Sequence, residues 1–402
     1  MTLSLKTRVI AALGLAVACG GDPTGPPDDW VGPGPFASVS GRGFHTCGLT
    51  PAGAVHCWGE NFDDFLGTGS TGLQPIPAKV AMPAGLTFTS ASAGANFTCG
   101  LTPGGAAHCW GDNDFGQLGD GTTTDRATPT AVVMPAGLTF TSVSASIPYH
   151  VANPFTCGLT PAGTGYCWGG NDVGQLGDGS VAARPTPGPV AAPAGVTFTS
   201  LGTGADHACG LTPAGTVYCW GANNEGGQLG DGTTTNRLTP VSVAMPPGVT
   251  FAALGVGAHH TCALTPAGAA YCWGSNLRGR LGDGTLTDRP TPTAVLNAAA
   301  LTFTSIIAGY DQTCALTPAG LAYCWGRNVW GQVGDGTGTN RSVPVAVAMP
   351  PGESFTTLTA GWMYACGLTP SGAGYCWGLN NHGQLGDGTT TNRLVPVAVV
   401  QQ

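Results

Sequence analysis

The sequence predicts an all-β fold, a seven-bladed β-propeller whose blades are four-stranded antiparallel sheets with one internal disulfide each. Three observations support this prediction. A pair of cysteines ten residues apart occurs seven times, successive pairs are 52 to 58 residues apart, and each copy contains the same short strand-like segments. Repeats of this length are typical of propellers and related arrays. We therefore divide the chain into a leader at 1–18, a tether at 19–35 and a propeller at 36–402.

The first 18 residues have the features of a secretory signal peptide. Lys6 and Arg8 precede a short apolar run, which small residues and then Cys19 follow. A cysteine at this position resembles the lipobox of bacterial lipoproteins. We therefore expect lipidation of Cys19 and an extracytoplasmic location, as a bacterial cell-envelope lipoprotein or a secreted protein; ordinary cleavage that leaves a free thiol is the alternative. The Gly/Pro-rich segment that follows would be a flexible tether.

The chain carries few charges, and most of them are acidic. It has 13 Lys and Arg against 21 Asp and Glu, for a net charge of −8. Because binding to phosphates needs clustered Lys and Arg, we expect no nucleic-acid partner. We expect a monomer that contacts the membrane only through the N-terminal lipid.

Each repeat contains four extended segments. The first, second and third are represented by F-T-S-V-S-A, T-C-G-L-T and A-V-H-C-W, and the fourth by V-P-V-A-V. Pro396, in the last copy of the fourth segment, suits an edge strand, where a missing N–H costs no ladder hydrogen bond. The first repeat has no fourth-type segment before it, and the last has no first-type segment after it. We therefore expect one chain end to complete a blade begun by the other.

The residues between the paired cysteines predict a tight hairpin. In Thr-Pro-Ala-Gly, proline at the second position and glycine at the fourth fit a type I turn with a left-handed residue. The resulting register places Cys47 opposite Cys57, at a Cα separation of about 4.5 Å. A secreted chain should form these disulfides, whereas two thiolates without a consistent histidine argue against zinc. The predicted pairs are Cys47 with Cys57, Cys99 with Cys109, Cys157 with Cys167, Cys209 with Cys219, Cys262 with Cys272, Cys314 with Cys324, and Cys366 with Cys376.

The same register makes predictions about the neighbouring residues. Gly48 faces His56, and tyrosines replace this histidine in later repeats, so we expect the ring to cover the cross-strand glycine. One tryptophan per repeat should pack between blades. The loop N-x-x-G-Q-L-G-D-G that follows it consists of turn-forming residues. In six copies an arginine lies six residues after the loop aspartate, as in Asp231 and Arg237, and we expect an ion pair there. No second carboxylate accompanies these aspartates, so we predict no metal site.

The pattern A-L-T-P-x-G-x-x-Y-C-W-G-x-N-x-x-G-Q-L-G-D-G resembles the repeat of the regulator of chromosome condensation family. It is found at 263–284, with Arg280 in place of Gln, and the resemblance extends over 36–400. We expect this chain to be a secreted or lipoprotein bacterial member. The resemblance implies a seven-bladed propeller but says less about activity. Propellers with this repeat include a nucleotide exchange factor for a GTPase and a secreted protein inhibitor of β-lactamases.

The sequence favours binding over catalysis. We find no nucleophile elbow, zinc-helix motif or phosphate loop. We therefore predict a non-enzymatic protein without a cofactor, which binds a protein or cell-envelope ligand through one propeller face. Exchange-factor activity and an uncharacterised propeller hydrolase are the alternatives.

The residues just before the first cysteine of each pair differ most between copies, and the third copy has six extra residues there. Each blade contributes one such segment, so they should gather around one mouth of the propeller and supply interface anchors. Filling of the central channel is the alternative for several of them. A second variable set follows the loop asparagine. The candidate residues are Phe44, His45, Asn96, Phe97, Tyr149, His150, Phe155, Asp206, His207, His259, His260, Tyr310, Asp311, Trp362 and Tyr364.

Overall fold

Seven four-stranded antiparallel sheets form a ring in a computed structural model that describes residues 34–62, 64–147, 153–296 and 300–401. The innermost strands of successive blades pack against one another around the whole circle, and the first blade contacts the last. The predicted seven-bladed propeller is confirmed. The leader, Cys19 and nearly all of the tether lie outside the described residues.

Each blade runs outward from the central channel in the order first, second, third and fourth strand. The first strands are β1 (Ser38–Gly41), β5 (Ser90–Ala93), β9 (Ser142–Ala145), β13 (Ser200–Thr203), β17 (Ala253–Val256), β21 (Ser305–Ala308) and β25 (Thr357–Ala360). The second strands are β2 (His45–Leu49), β6 (Phe97–Leu101), β10 (Phe155–Leu159), β14 (His207–Leu211), β18 (His260–Leu264), β22 (Gln312–Leu316) and β26 (Tyr364–Leu368). The third strands are β3 (Val55–Gly59), β7 (Ala107–Gly111), β11 (Gly165–Gly169), β15 (Val217–Gly221), β19 (Ala270–Gly274), β23 (Ala322–Gly326) and β27 (Gly374–Gly378). The fourth strands are β4 (Gln74–Lys79), β8 (Arg126–Ala131), β12 (Arg184–Pro189), β16 (Arg237–Ser242), β20 (Arg289–Ala294), β24 (Arg341–Ala346) and β28 (Arg393–Ala398). A 3-10 turn, Leu277–Gly279, lies between β19 and β20.

The ring closes without a shared blade, so the expectation that one chain end completes the other's sheet was wrong. Each repeat supplies its own inner and outer strand, and every sheet is continuous in sequence. The first and last blades are joined instead by contacts between complete sheets. The Trp58 indole N–H donates to the Gln384 carbonyl at 3.0 Å, and the Gly388 N–H donates to the Pro75 carbonyl at 3.0 Å.

The predicted hairpin register and disulfides are confirmed in every blade. The Cα atoms of each disulfide are 4.0 to 4.1 Å apart, slightly closer than expected. The paired sulfurs are buried and cross-link the two middle strands of their blade. In the sheets, Cys47 lies opposite Cys57, Cys99 opposite Cys109, Cys157 opposite Cys167, Cys209 opposite Cys219, Cys262 opposite Cys272, Cys314 opposite Cys324, and Cys366 opposite Cys376.

The ring that covers Gly48 belongs to Phe36 and not to His56, which corrects our prediction. A Cβ atom on Gly48 would lie 2.5 Å from the Phe36 ring. Phe36 also stacks on Trp58, with ring centroids 5.6 Å apart. The glycine therefore leaves room for a phenylalanine that precedes the first strand, while the partly exposed His56 contacts the edge of that phenylalanine.

The tryptophans pack between blades, as predicted. All seven are fully buried. The Trp168 indole N–H donates to the Gln117 carbonyl of the preceding blade at 3.0 Å, and Trp220 makes the same bond to Gln175. In addition, each Trp ring packs against the last glycine of the G-Q-L-G segment of the preceding blade, and a Cβ on Gly119 would come within 2.6 Å of Trp168. This glycine is what lets one blade approach the next.

The loops between the third and fourth strands are held by a buried asparagine and an ion pair. The Asn223 side chain accepts the Leu229 N–H at 2.9 Å and donates to the Asp231 carboxylate at 3.1 Å. Asp231 pairs with Arg237 at 2.6 Å, and the same pair forms in five other blades. The predicted Asp–Arg pairs are confirmed, and the loops are rigid supports for the residues at their tips.

Candidate binding face

The variable segments lie at one end of the propeller, as far as the structure describes them. The connections between first and second strands and those between third and fourth strands both lie there, and a hydrogen bond from the Glu60 N–H to the Phe44 carbonyl joins the two kinds, at 3.1 Å. We call this end the loop face. The opposite end carries the Thr-Pro-x-Gly hairpins, and we call it the turn face. The structure therefore places the two variable sets of the sequence side by side.

Six of the candidate residues begin a second strand and are completely buried between blades. The His45 imidazole Nε2 lies 3.0 Å from the Thr98 hydroxyl of the next blade, and His207 and His260 make the same contact to Thr261 and Thr313 at 3.1 and 2.8 Å. These side chains link neighbouring blades and are not exposed on the loop face. The six are His45, Phe97, Phe155, His207, His260 and Tyr364.

Burial keeps these histidines neutral. Desolvation lowers the pKa of His45 to about 4 and, together with the nearby His259, that of His207 to about 3. The pKa of His260 is lowered in the same direction, again chiefly by burial. Tyr364 is held differently, because its hydroxyl donates to the His45 carbonyl at 2.6 Å and accepts from Thr46 at 2.8 Å. It thereby joins the last blade to the first.

Asp311 is part of a buried ion-pair network. Its carboxylate lies 2.9 Å from the Arg280 guanidinium and 3.2 Å from that of Arg327. Arg280 is 2 % exposed and Asp311 3 %. Arg280 occupies the loop position that glutamine takes in five other repeats. Arg280, which replaces the usual glutamine in the fifth blade, and Asp311 of the sixth blade therefore form one structural unit.

Four other candidates, together with Phe62 and His382, form a continuous line of rings across the loop face. Neighbouring ring centroids are 4.5 to 6.3 Å apart, in stacked, tilted and edge-on arrangements. The line passes from the first blade through the seventh and sixth to the fifth. We call it the aromatic arc, and in order it consists of Phe62, His382, Phe44, Trp362, Tyr310 and His259.

Exposed apolar side chains lie at the tips of the loops on the same blades. Phe62 is 57 % exposed, Leu277 58 % and Trp330 40 %, and Val329 is similarly exposed. Single exposed apolar residues are common and occur elsewhere on this chain, and those at these tips lie on the blades that carry the aromatic arc.

The second, third and fourth blades present carboxylates at the corresponding positions. Asp172 and Glu225 are exposed and line a cavity of about 240 Å³ together with Asp206. Burial, and then the charges of Asp172 and Glu225, raise the pKa of Asp206 to about 6. We call this group the acidic sector, and it consists of Asp112, Asp114, Asp125, Asp172, Asp206 and Glu225.

Three carboxylates of the acidic sector lie close enough to share a cation. The oxygens of Asp112, Asp114 and Asp125 lie within 4.8 Å of one another. Asp125 already accepts the Asn113 N–H at 2.8 Å, as part of the loop structure. Acidic groups of this kind occur on protein surfaces without an ion, and we assign no metal site here.

The remaining candidates include two that lie outside the described residues, Tyr149 and His150. The flanking Ile147 donates its N–H to the Gly204 carbonyl at 3.0 Å, and Asn153 lines the cavity of the acidic sector. Both ends of the inserted segment are therefore on the loop face. Asn96 is partly exposed beside Asp112 and Asp114, where it lines a second cavity.

The repeats of this chain match known family models. The family model described as the RCC1-like domain matches residues 150–402, and models of the regulator of chromosome condensation (RCC1) repeat match 52–101, 88–117 and 104–149. The chain belongs to the RCC1 repeat family. This RCC1-repeat chain is 31% identical over 360 residues to the ultraviolet-B receptor UVR8 of Arabidopsis thaliana, covering 89% of this chain and 80% of the relative.

Other similar proteins share either a domain or the fold. Human E3 ubiquitin-protein ligase HERC2 is 28% identical over 86% of this chain, which corresponds to 7% of HERC2. The solved structure of Prp20p from Saccharomyces cerevisiae superposes with a TM-score of 0.75 at 24% identity, covering 88% of this chain and 87% of Prp20p. Human WBSCR16 gives the same TM-score at 21% identity, with 86% and 94% coverage. These structural matches support the RCC1-repeat propeller fold.

Two contributors to the loop face of this RCC1-repeat propeller were not predicted from its sequence. Phe62 extends the aromatic arc, and Glu60 contacts the His382 imidazole at 3.2 Å. Both lie in the first repeat, whose third-to-fourth loop departs from the G-Q-L-G-D-G pattern. That departure is the signal that could have identified them. None of the described segments forms a helix of the length and hydropathy needed to cross a membrane.

Proposed function

We propose that this RCC1-repeat propeller is a non-enzymatic binding protein that captures a protein partner through its loop face. The aromatic arc carries the proposal. It places six rings in contact across four blades, in the sector where apolar loop tips are exposed, and all of them except the buried His259 are at least partly accessible. Aromatic side chains held on rigid supports are efficient interface anchors because they bury much apolar area with little loss of conformational entropy.

The charge distribution of the loop face defines the chemistry of the partner. Carboxylates occupy the second to fourth blades, whereas Arg278 and Arg327 lie on the fifth and sixth. A partner that fits both sectors presents an apolar segment to the aromatic arc and Lys or Arg side chains to the acidic sector. Complementary charges of this kind accelerate association and make it sensitive to salt. The acidic sector also disfavours nucleic acid as a partner.

The relatives support binding as the mode of action. UVR8 is named as a receptor, and Prp20p is described as binding Gsp1p and histones. The compartment proposed for this chain differs from one in which an exchange factor would meet a GTPase. A disulfide in every blade and the signal-like leader with Cys19 favour an oxidising, extracytoplasmic location, with the propeller lipid-anchored at the cell envelope or secreted. Within that location, a protein or another cell-envelope ligand is the proposed partner of a monomeric propeller.

Capture by an immobilised propeller tests the proposal. Wild-type protein, Trp362→Ala and Leu321→Ala are exposed to envelope extract, and the retained proteins are identified by mass spectrometry. Trp362 lies in the aromatic arc, whereas Leu321 is 45 % exposed directly after the Gly320 hairpin of the turn face, which makes it the matched control. We expect the wild type and Leu321→Ala to retain the same partner and Trp362→Ala to lose at least tenfold of it, as for an interface anchor.

The thermal unfolding midpoint of each variant separates binding from folding. The proposal fails if correctly folded Trp362→Ala retains the partner as well as wild type does, or if Leu321→Ala loses it equally. Higher salt should weaken capture by the wild type. Substituting Asp172 and Glu225 with their amides should reduce this salt dependence.

A further inference from the structure

The central channel contains a charged side chain that the loop face does not explain. Arg42 follows the first strand of the first blade, and its guanidinium extends across the channel to donate to the Thr203 carbonyl of the fourth blade. In the described parts of the chain it forms no ion pair. A guanidinium offers five N–H donors, so one hydrogen bond to a carbonyl leaves most of them available.

The cavity beside Arg42 is lined mainly by apolar residues, and Thr359 is its other polar side chain. The Arg42 side chain is partly buried and faces this cavity. Burial lowers the pKa of Arg42 to about 10, and among the described residues no carboxylate pairs with it, yet the guanidinium remains charged at neutral pH. A partly buried charge without a counterion is incompletely solvated, because protein groups replace water poorly. An anion that binds beside it therefore gains a favourable interaction.

A cavity of about 150 Å³ adjoins the guanidinium inside the channel. Its wall on the fourth to sixth blades is aliphatic, formed by Leu201, Leu254, Ile306 and others. The first strands of the first three blades consist only of Ser, Ala, Gly and Val, so the channel is asymmetric. A cavity of this volume and lining accepts an apolar molecule about the size of benzene.

We propose that the central channel is a binding site for a small aliphatic carboxylate. The carboxylate lies on the Arg42 guanidinium, and a branched tail of roughly four carbons packs against the aliphatic wall, which matches the volume of the cavity. A hydrated inorganic anion fits less well because the wall offers it few hydrogen bonds. The same chemistry is available from a free short-chain acid or from the C-terminus of a peptide that ends in a small aliphatic residue. The site lies at the loop-face end of the central channel. Its binding of a small acid does not depend on the function proposed for that face.

Calorimetric titration of the full chain tests the site with 3-methylbutanoate as the probe. The neutral 3-methylbutanamide has the same shape without the charge. We expect the acid to bind and the amide to bind at least tenfold more weakly, because the charge-assisted hydrogen bonds are lost. Arg42→Gln should lose binding of the acid to a similar extent. Arg126→Gln removes a partly exposed arginine of the outer strand β8 and should bind like wild type.

Titration of the wild-type protein with the acid and with the amide tests the proposal even if Arg42→Gln is poorly folded. The thermal unfolding midpoint of Arg42→Gln shows whether this variant is folded. Absence of binding by the acid at millimolar concentration overturns the proposal, as does equal binding of the amide. Retention of binding in folded Arg42→Gln would do the same. Competition by a short peptide ending in valine, but not by its C-terminal amide, would identify a chain terminus as the source of the carboxylate. Competition by neither would identify the free acid.

Discussion

Acid should destabilise this propeller through histidines that are buried between its blades. His45, His207 and His260 are fully buried, with pKa values far below the ordinary 6.5. Below pH 6.5 the unfolded chain takes up protons at these positions, whereas the folded chain does not until its own lower pKa is reached. Their contribution to stability is therefore complete above pH 6.5 and is lost as the pH falls.

The size of the effect follows from the pKa of each group. For His207, with a folded pKa of about 3, lowering the pH from 7.5 to 5 should reduce the free energy of unfolding by about 2 kcal/mol. The value for His45, with a folded pKa of about 4, is almost the same at pH 5, again about 2 kcal/mol. Asp206 acts in the opposite direction, because its pKa is raised to about 6 in the folded protein. Its protonation between pH 7.5 and 5 should increase the free energy of unfolding by about 1 kcal/mol.

The chain provides a matched control for the histidines. In the sixth blade Gln312 occupies the equivalent position, and its amide donates to the Gly361 and Tyr364 carbonyls at 3.1 and 2.9 Å. His207→Gln therefore removes the titrating group but keeps a side chain that this position accepts. The free energy of unfolding is measured with urea at pH 7.5 and at pH 5, with the disulfides intact. Its decrease between these pH values should be about 2 kcal/mol smaller in His207→Gln than in the wild type.

Two measurements could refute this reasoning. The first is an identical pH dependence of stability in His207→Gln and wild type. The second is an NMR titration that shows the His207 imidazole protonating near pH 6.5 in the folded protein. Either would mean that water reaches the ring and that the junction between blades is looser than the structure shows.

Two further predictions concern ion pairs. Asp311→Asn leaves Arg280 charged and buried beside the partly exposed Arg327, so it should lower the free energy of unfolding by about 3 to 5 kcal/mol, whereas the double variant Arg280→Gln/Asp311→Asn should recover most of the loss. Urea unfolding of the double-mutant cycle checks this, and an additive double variant would contradict it. Arg237→Gln breaks a pair whose arginine is 36% exposed, so the expected loss is about 0.5 to 1 kcal/mol by the same assay, and unchanged stability would argue against a contribution from the loop pair.

The fold could be predicted from the sequence because its determinants are local. Hairpin register follows from the turn residues, and it brings Cys47 opposite Cys57 without reference to any other blade. The closure could not be predicted in the same way, since it depends on contacts between distant residues such as Trp58 and Gln384, which are 326 positions apart. The position of Phe36 over Gly48 was missed because the ring enters from a segment outside the hairpin.

The candidate site was predicted as a region but not residue by residue. Variation between repeats identified the loop face, where Phe44, Tyr310 and Trp362 form part of the aromatic arc. Variation alone could not separate Phe44 from the adjacent His45, although the first is partly exposed and the second fully buried. Successive residues at the start of a strand point in opposite directions, and only the packing of the next blade determines which one is covered.

The positions at which the chain enters and leaves the propeller determine how it can be displayed. The Gln401 side chain donates to the Gly34 carbonyl at 3.1 Å, and the Phe36 N–H donates to the carbonyl of Gly372, in a hairpin of the turn face, at 3.0 Å. Both ends of the described propeller thus emerge together, on the side opposite the aromatic arc. A support attached before Gly34 would hold the domain by its turn face. With a short intervening segment, the surface proposed to capture a partner would then point away from that support.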